Sequence, residues 1–177
     1  MNFSHKTAIH RNKPSSTVRM IENLGYIKNQ VFDFGCGTGK DVNYLKSKGF
    51  TVECWDPFYF KENELSNFKS NSFQTILCTY VLNVIHKNER IDAIKNIKKL
   101  LHKEGVVFFT VRTTQDILDK AKNNSWKKNL DGWITQKKTF QKGFTSEELE
   151  SLIRDNGFRN VKTVSKNPLI VQASETE

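Results

Sequence analysis

Hydrophobic residues recur along this chain with two alternating periods, one helical and one of strand type. Val18, Met20, Ile21 and Leu24 suit one helix, with Ser15-Ser16-Thr17 before it as capping residues and Gly25 after it as a stop. Val31 to Phe34 is a short apolar run holding one aspartate, followed by glycines at 35, 37 and 39 and then by a helical stretch from Lys40 to Lys48 that stops at Gly49. Phe50 to Trp55 and Phe73 to Leu82 read as strands. His86 to Leu101 reads as a helix with Ile91, Ile94, Ile97 and Leu100 or Leu101 on one face, and Gly105 separates it from the apolar strand Val106 to Val111. Thr145 and Glu148 form a capping box for a last helix running to Asn156-Gly157, with strands expected at 158–164 and 169–173.

Strands that alternate with helices and are apolar along their whole length belong to a largely parallel sheet covered on both faces. The expected fold class is therefore α/β, a Rossmann-like, mostly parallel sheet with helices on both faces. No repeat, low-complexity linker or composition shift divides the chain, and 177 residues suit a single domain over 1–177, with a polar segment and helix over 1–28. Residues 113–138 lack clear periodicity and read as a helix-plus-loop insertion over the strand ends, where substrate contacts are expected. Trp126 and Trp133 within it read as core plugs in preference to stacking platforms.

Composition changes this picture little. A 37% hydrophobic, 11% aromatic chain is globular in type. No apolar run approaches bilayer length and the N-terminal residues lack an apolar signal core, so a soluble, cytoplasmic protein without membrane contact is expected. Cys36, Cys54 and Cys78 show no paired spacing, which supports neither a zinc site nor a disulfide framework, and no metal is assigned. A net charge of +9 favours polyanionic partners, but lysines accompanied by asparagine, as in Lys127-Lys128-Asn129, leave nucleic acid and other partners equally open on charge alone.

The candidate chemistry lies in Val31-Phe32-Asp33-Phe34-Gly35-Cys36-Gly37-Thr38-Gly39, whose glycines permit a tight turn with its backbone flush against a ligand. A dinucleotide fingerprint needs a third glycine where Lys40 stands, and a Walker loop needs Ser or Thr where Asp41 stands. An acidic residue on the first strand followed by G-x-G-x-G resembles instead the first motif of the class I S-adenosylmethionine-dependent methyltransferases. The resemblance implies S-adenosylmethionine as cofactor. It implies that Gly35, Gly37 and Gly39, with the small Cys36 between them, line the cofactor and that Asp33 orders its amino-acid end. Asp56, at the end of the second strand, then accepts from both ribose hydroxyls, with Asp41, Pro57 and Leu82 as further contacts.

Ser72 to Ile76 and Tyr80 to Ile85 look like the family's fourth strand and the residues after it, with Gln74 where an aspartate is usual, and Gly143 to Leu149 looks like its final helix start. Residues 57–72 are too few for the family's third strand and crossover helix, so that edge strand is expected to be short or absent, and no acidic partner is assigned to the adenine amine. More narrowly, Lys6 to Arg11, Asp33 to Asp41, Leu82 to Ile85 and Phe140 to Lys142 are similar to a small group of methyltransferases associated with DNA phosphorothioation systems.

Transfer from a sulfonium is an in-line displacement, so holding the acceptor atom on the methyl axis supplies most of the catalysis. Thr79 to Asn83 lacks the Pro-Pro-aromatic signature of exocyclic-amine DNA methylation, and no proline precedes a cysteine as carbon-5 cytosine chemistry requires. Tyr80 and Asn83 are the candidates for the acceptor pocket. His86 is a candidate base, against its reading as a cap or surface residue, and Lys6, His10 and Arg11 are candidate substrate contacts. The acceptor is not identified by the sequence, and nucleic acid is favoured slightly over a small molecule. A cofactor-binding module without turnover and a basic nucleic-acid-binding accessory protein are the alternatives, and nothing in the sequence bears on oligomeric state.

Overall fold

Alternation within the strands divides the apolar residues between two faces of one sheet. Phe32, Phe34, Ile76, Cys78, Val107 and Phe109 point to one side, and Val31, Leu77 and Phe108, one residue out of phase, point to the other. The computed structural model describes residues 13–176. In chain order it contains α1 (Ser16–Asn23), β1 (Val31–Phe34), α2 (Lys40–Ser47), β2 (Val52–Trp55), β3 (Phe73–Thr79), α3 (Lys87–Leu100), β4 (Leu101–Val111) and α4 (Thr114–Asn123). Then follow β5 (Lys127–Asn129), β6 (Gly132–Ile134), β7 (Phe140–Gln141), α5 (Ser146–Asp155), β8 (Asn160–Lys166) and β9 (Leu169–Ser174).

The main sheet has the order β2-β1-β3-β4-β9-β8. The first four strands are parallel, and β9 runs antiparallel to both β4 and β8. Helices α1 and α2 cover one face through Val18, Ile21, Val42 and Leu45. The other face is covered by α3 and α5 through Ile94, Ile97, Leu149 and Ile153. The fold is thus the expected α/β architecture, and among the described residues the connection 57–72 contains a 3-10 turn at Leu65–Asn67 and no strand, which leaves β2 as the edge. No described helix is long and apolar enough to cross a membrane.

Local chemistry sets the boundaries. Ser15 caps α1 by accepting from Val18 N at 3.1 Å, and Thr145 caps α5 by accepting from Glu148 N at 3.1 Å. The reciprocal half of that second capping box is replaced: the Glu148 carboxylate meets Lys142 Nζ at 2.7 Å. Two expected boundaries are corrected. The strand expected to reach Leu82 ends at Thr79, because Tyr80 takes φ 60° and donates its N–H to Thr110 O at 2.8 Å. Gly105 does not separate α3 from β4. The strand begins at Leu101 and runs through Gly105, where a Cβ would stand 2.9 Å from Phe73 O across the irregular register with β3.

The 113–138 region holds more order than a helix and loop, since α4 is followed by a separate antiparallel sheet of order β5-β6-β7. Strands of two or three residues are too short for any periodic pattern to announce.

Candidate functional site

A cleft of about 1220 Å³ opens over the carboxyl ends of β1 to β4, at the point where the chain leaves β1 for β2 on one side and β3 on the other. Such switch points are where open α/β sheets bind ligands. The volume exceeds the usual range of roughly 300–1,000 Å³ for a single small-molecule pocket, which suits two ligands side by side.

One end of the cleft is built from the glycine loop. Gly35 N and Cys36 N donate to Trp55 O at 2.8 and 3.2 Å, folding the loop onto the end of β2. A Cβ on Gly35 would stand 2.4 Å from Val81 Cγ2, and the residue has φ 75°, so glycine is required both for the backbone and for contact with the segment after β3. Asp56 is 8% exposed and its carboxylate organises this end. Oδ2 accepts from Gly37 N at 3.0 Å, and Oδ1 accepts from Phe58 N at 2.9 Å and Tyr59 N at 3.1 Å. A carboxylate offers about four acceptor positions, so three backbone donors leave room for one more donor.

Asp33, Cys36, Thr38, Asp41 and Pro57 also line the cleft. Asp41 Oδ1 accepts from Ser15 N at 2.6 Å and so ties the segment before α1 against the same wall. Between the two ends, Thr79 Oγ1 is buried without a hydrogen-bond partner, and Thr79 lines the cleft. An orphaned hydroxyl costs about 1–3 kcal/mol unless a ligand or water meets it, so this atom fits a site made to receive a polar group.

The other end is built from the insertion. Tyr80, Arg112, Lys120, Trp126, Thr139 and Gln141 face it. Arg112 lies over the Tyr80 ring at 5.5 Å and shares the Asp116 carboxylate with Lys120, at 3.0 and 2.9 Å. Burial opposes ionisation of Asp116, but the hydrogen bonds from Lys120 and Arg112 outweigh it and hold the carboxyl below its usual range. Two cations share this one carboxylate, and Glu89 and Asp92 also line the cleft.

Several sequence candidates take other places. Leu82 is fully buried in the core between the sheet and α3, so it is not a cofactor contact; Val81 takes the position against the glycine loop. Gly39 begins α2 with φ 75° and packs beneath Phe60 instead of lining the cleft. His86 is the exposed N-cap of α3, its ring 4.3 Å from that of Phe140, and it does not line the cleft, which removes it as a base. Trp126 and Trp133 are half-buried, and neither plugs the core. Lys6, His10 and Arg11 lie outside the described residues. Sequence reasoning missed Thr79 and Arg112, which carry no motif and gain meaning only from the end of the strand on which they stand.

Asn83 borders the cleft, but its amide serves as a bracket. Oδ1 accepts from Arg112 N at 3.0 Å while Nδ2 donates to Lys142 O at 2.5 Å and also to Arg112 O. This joins the segment after β3 to the ends of β4 and β7, making Asn83 a positioning residue. Asn83→Asp sets a carboxylate oxygen against two carbonyl oxygens. It is expected to cost about 2–3 kcal/mol and to lower the calorimetric Tm by roughly 5–10 °C; an unchanged Tm refutes the bracket.

The three thiols differ sharply. The neighbouring Cys54 thiol and burial push Cys36 well up, and the proximity of the two thiols holds Cys54 below the ordinary thiol range, helped by Lys46. Burial, then the Asp33 charge, pushes Cys78 up. Iodoacetamide at pH 7 is expected to label Cys54 about tenfold faster than either other cysteine, with Cys36→Ala slowing it. Equal labelling in a peptide map contradicts the assignment.

Among the described residues no group of His, Cys, Asp and Glu side chains is placed to hold a metal ion. A glycine loop at a sheet switch point, closed by a buried carboxylate at the end of the next strand, defines a class: α/β proteins that hold a nucleoside-containing cofactor over their strand ends. The profile of the methyltransferase domain family matches residues 9–163, and the chain belongs to that family. S-adenosylmethionine is the cofactor, and the cleft residues fit it.

Uncharacterized methyltransferases of Bacillus thuringiensis and Bacillus anthracis are 31% identical over 109 residues, 51% of this chain and 51% of theirs, so the chain spans about half the length of these curated relatives. Among solved structures, the Burkholderia thailandensis 1,6-didemethyltoxoflavin-N1-methyltransferase, crystallised with 1,6-didemethyltoxoflavin and S-adenosylhomocysteine, superposes with a TM-score of 0.64 at 17% identity, covering 99% of this chain and 80% of that one. The Pyrococcus horikoshii protein PH0226 gives 0.67 at 13% identity over 91% of both chains. At such identities these structures share the fold.

Proposed function

We propose that this chain transfers the methyl group of S-adenosylmethionine to a nucleic acid. The observation that carries the reading is the far end of the cleft, where Arg112 and Lys120, which share the Asp116 carboxylate, stand with the Trp126 indole. Cations beside an aromatic face suit a planar base that carries phosphate, since bases stack on indole and phosphate meets the cations.

When bound, the cofactor supplies an electrophilic methyl group on a positively charged sulfur. The chain's residues contribute position. The glycine loop and Asp56 seat the cofactor, Thr79 Oγ1 offers a hydrogen bond at mid-cleft, and Tyr80 with Trp126 bounds the space for the acceptor. Orientation of this kind is the main requirement of an in-line displacement.

The test is transfer of a tritiated methyl group from S-adenosylmethionine to single-stranded DNA, RNA, duplex DNA and a small-molecule extract, assayed in parallel. Label is expected in nucleic acid. Trp126→Ala is expected to raise KM for the strand about tenfold, within the range for loss of one stacked base, and to leave S-adenosylhomocysteine affinity unchanged. Label found only in small molecules rejects the nucleic-acid acceptor and keeps the methyltransferase.

A further inference from the structure

The small β5-β6-β7 sheet shows one of its faces to the cleft. Register pairs Lys128 with Trp133 and Trp133 with Gln141, so these three side chains form a row across the strands on a single face. Gln141, Thr135, Thr139 and Trp126 of the same sheet region line the cleft. Lys128 and Trp133 continue that wall past its mouth, with Lys128 Nζ 5.0 Å over the Trp133 ring. Two strand spacings place Lys128 about 10 Å out from Gln141. A ligand that fills that end of the cleft and also meets Lys128 therefore extends beyond the cleft.

Charge is concentrated on this unit. Residues 120–142 hold seven lysines and one acidic residue, a local +6 within a chain of net charge +9. Asp131, the acidic residue, is spent on Arg90, and Lys120 and Lys142 are paired with Asp116 and Glu148. Lys122, Lys127, Lys128, Lys137 and Lys138 form no ion pair among the described residues, and all are exposed.

We infer that the cleft-side face of this sheet is a docking platform for single-stranded nucleic acid, laid across Lys128 and Trp133 so that one unpaired base enters the cleft beside Trp126. This deepens the acceptor reading above and rests on it. A lysine beside the Trp133 and Trp126 indoles suits a flexible strand whose phosphates and base faces are both accessible. A duplex hides its base faces and cannot deliver a base between the sheet and the glycine loop without unpairing it. An acidic peptide meets the lysines but gives the two indoles nothing to stack.

The experiment is fluorescence anisotropy with a labelled mixed-sequence single-stranded DNA 20-mer, the duplex of the same sequence and polyglutamate, repeated over a salt series with the full chain and S-adenosylhomocysteine present. The single strand is expected to bind at least tenfold more tightly than either competitor. Lys128→Glu is expected to weaken it about tenfold and flatten the salt dependence by about one phosphate contact. Trp133→Ala is expected to weaken it about tenfold at an unchanged salt slope. Titration with S-adenosylhomocysteine shows that both variants keep the fold.

Wild-type affinity in both variants, or equal binding of duplex or polyglutamate, overturns the platform. Binding that needs Lys128 and Trp133 without methyl transfer to any nucleic acid supports the platform and overturns the acceptor reading. Transfer to single strands that both variants retain in full overturns the platform and leaves the acceptor reading standing.

Discussion

Replacing Asp56 by alanine is expected to weaken S-adenosylhomocysteine binding by a factor on the order of 100, equivalent to about 2.7 kcal/mol. The carboxylate is 8% exposed and accepts from Gly37, Phe58 and Tyr59 N–H groups. Its loss strands three backbone donors and frees the glycine loop from the turn after β2, and it also removes the remaining acceptor position. Asp56→Asn keeps one oxygen but sets an NH₂ group against backbone N–H, so an intermediate loss is expected. Calorimetric titration of both variants at pH 7 reads the effect directly. Affinity within threefold of the parent reduces Asp56 to a turn cap and moves cofactor recognition elsewhere in the cleft.

The second large effect is on stability. Arg90 is 2% exposed on α3, donates from Nη1 to Ile85 O at 2.9 Å and faces the Phe144 ring at 5.7 Å, and its one ion-pair partner among the described residues is the Asp131 carboxylate in the β5-β6 turn. Asp131→Ala leaves this guanidinium buried without a counter-charge, which is expected to cost about 3 kcal/mol and to lower Tm by roughly 6–12 °C. Adding Arg90→Met removes the stranded charge and keeps an apolar stem, so the double variant is expected to melt above Asp131→Ala alone. A double variant that melts lower contradicts a penalty from unpaired charge. Because the same pair ties the β5-β6-β7 sheet to α3, methyl transfer should fall in Asp131→Ala while cofactor affinity holds.

The cofactor end was largely legible because its parts are local. Asp33, the glycines at 35 and 37, and Asp56 close a strand, a turn and a strand within 24 consecutive residues, and both strands are marked by apolar runs bounded by glycine or proline. The missing third strand was legible for the same reason, since chain length between β2 and β3 limits what fits there. Leu82 and Gly39 went astray because a position next to a motif says nothing about which way its side chain points. Tyr80 at φ 60° ends β3 early and turns Val81 to the loop and Leu82 into the core.

The acceptor end was not legible. Arg112 and Trp126 are far from the glycine loop in sequence, Arg112 just past the end of an apolar strand and Trp126 in a stretch with no period, and the three strands of the small sheet are two or three residues each. The lysines of residues 120–142 are close together in sequence, but which of them share a face with Trp133 and Gln141 follows only from strand pairing.

By itself, then, the amino-acid sequence determined the α/β class, the element order, the glycine-loop cofactor motif and the strand-end carboxylate, all of which follow from periodicity, glycine and chain length over short spans. Only the tertiary structure decided that Asn83 is a bracket, that His86 stands outside the cleft, that Thr79 has a hydroxyl left for a ligand, and that Trp126, Lys128 and Trp133 share a face. Those outcomes depend on long-range strand pairing and on the competition of buried polar groups for partners, which no local pattern encodes.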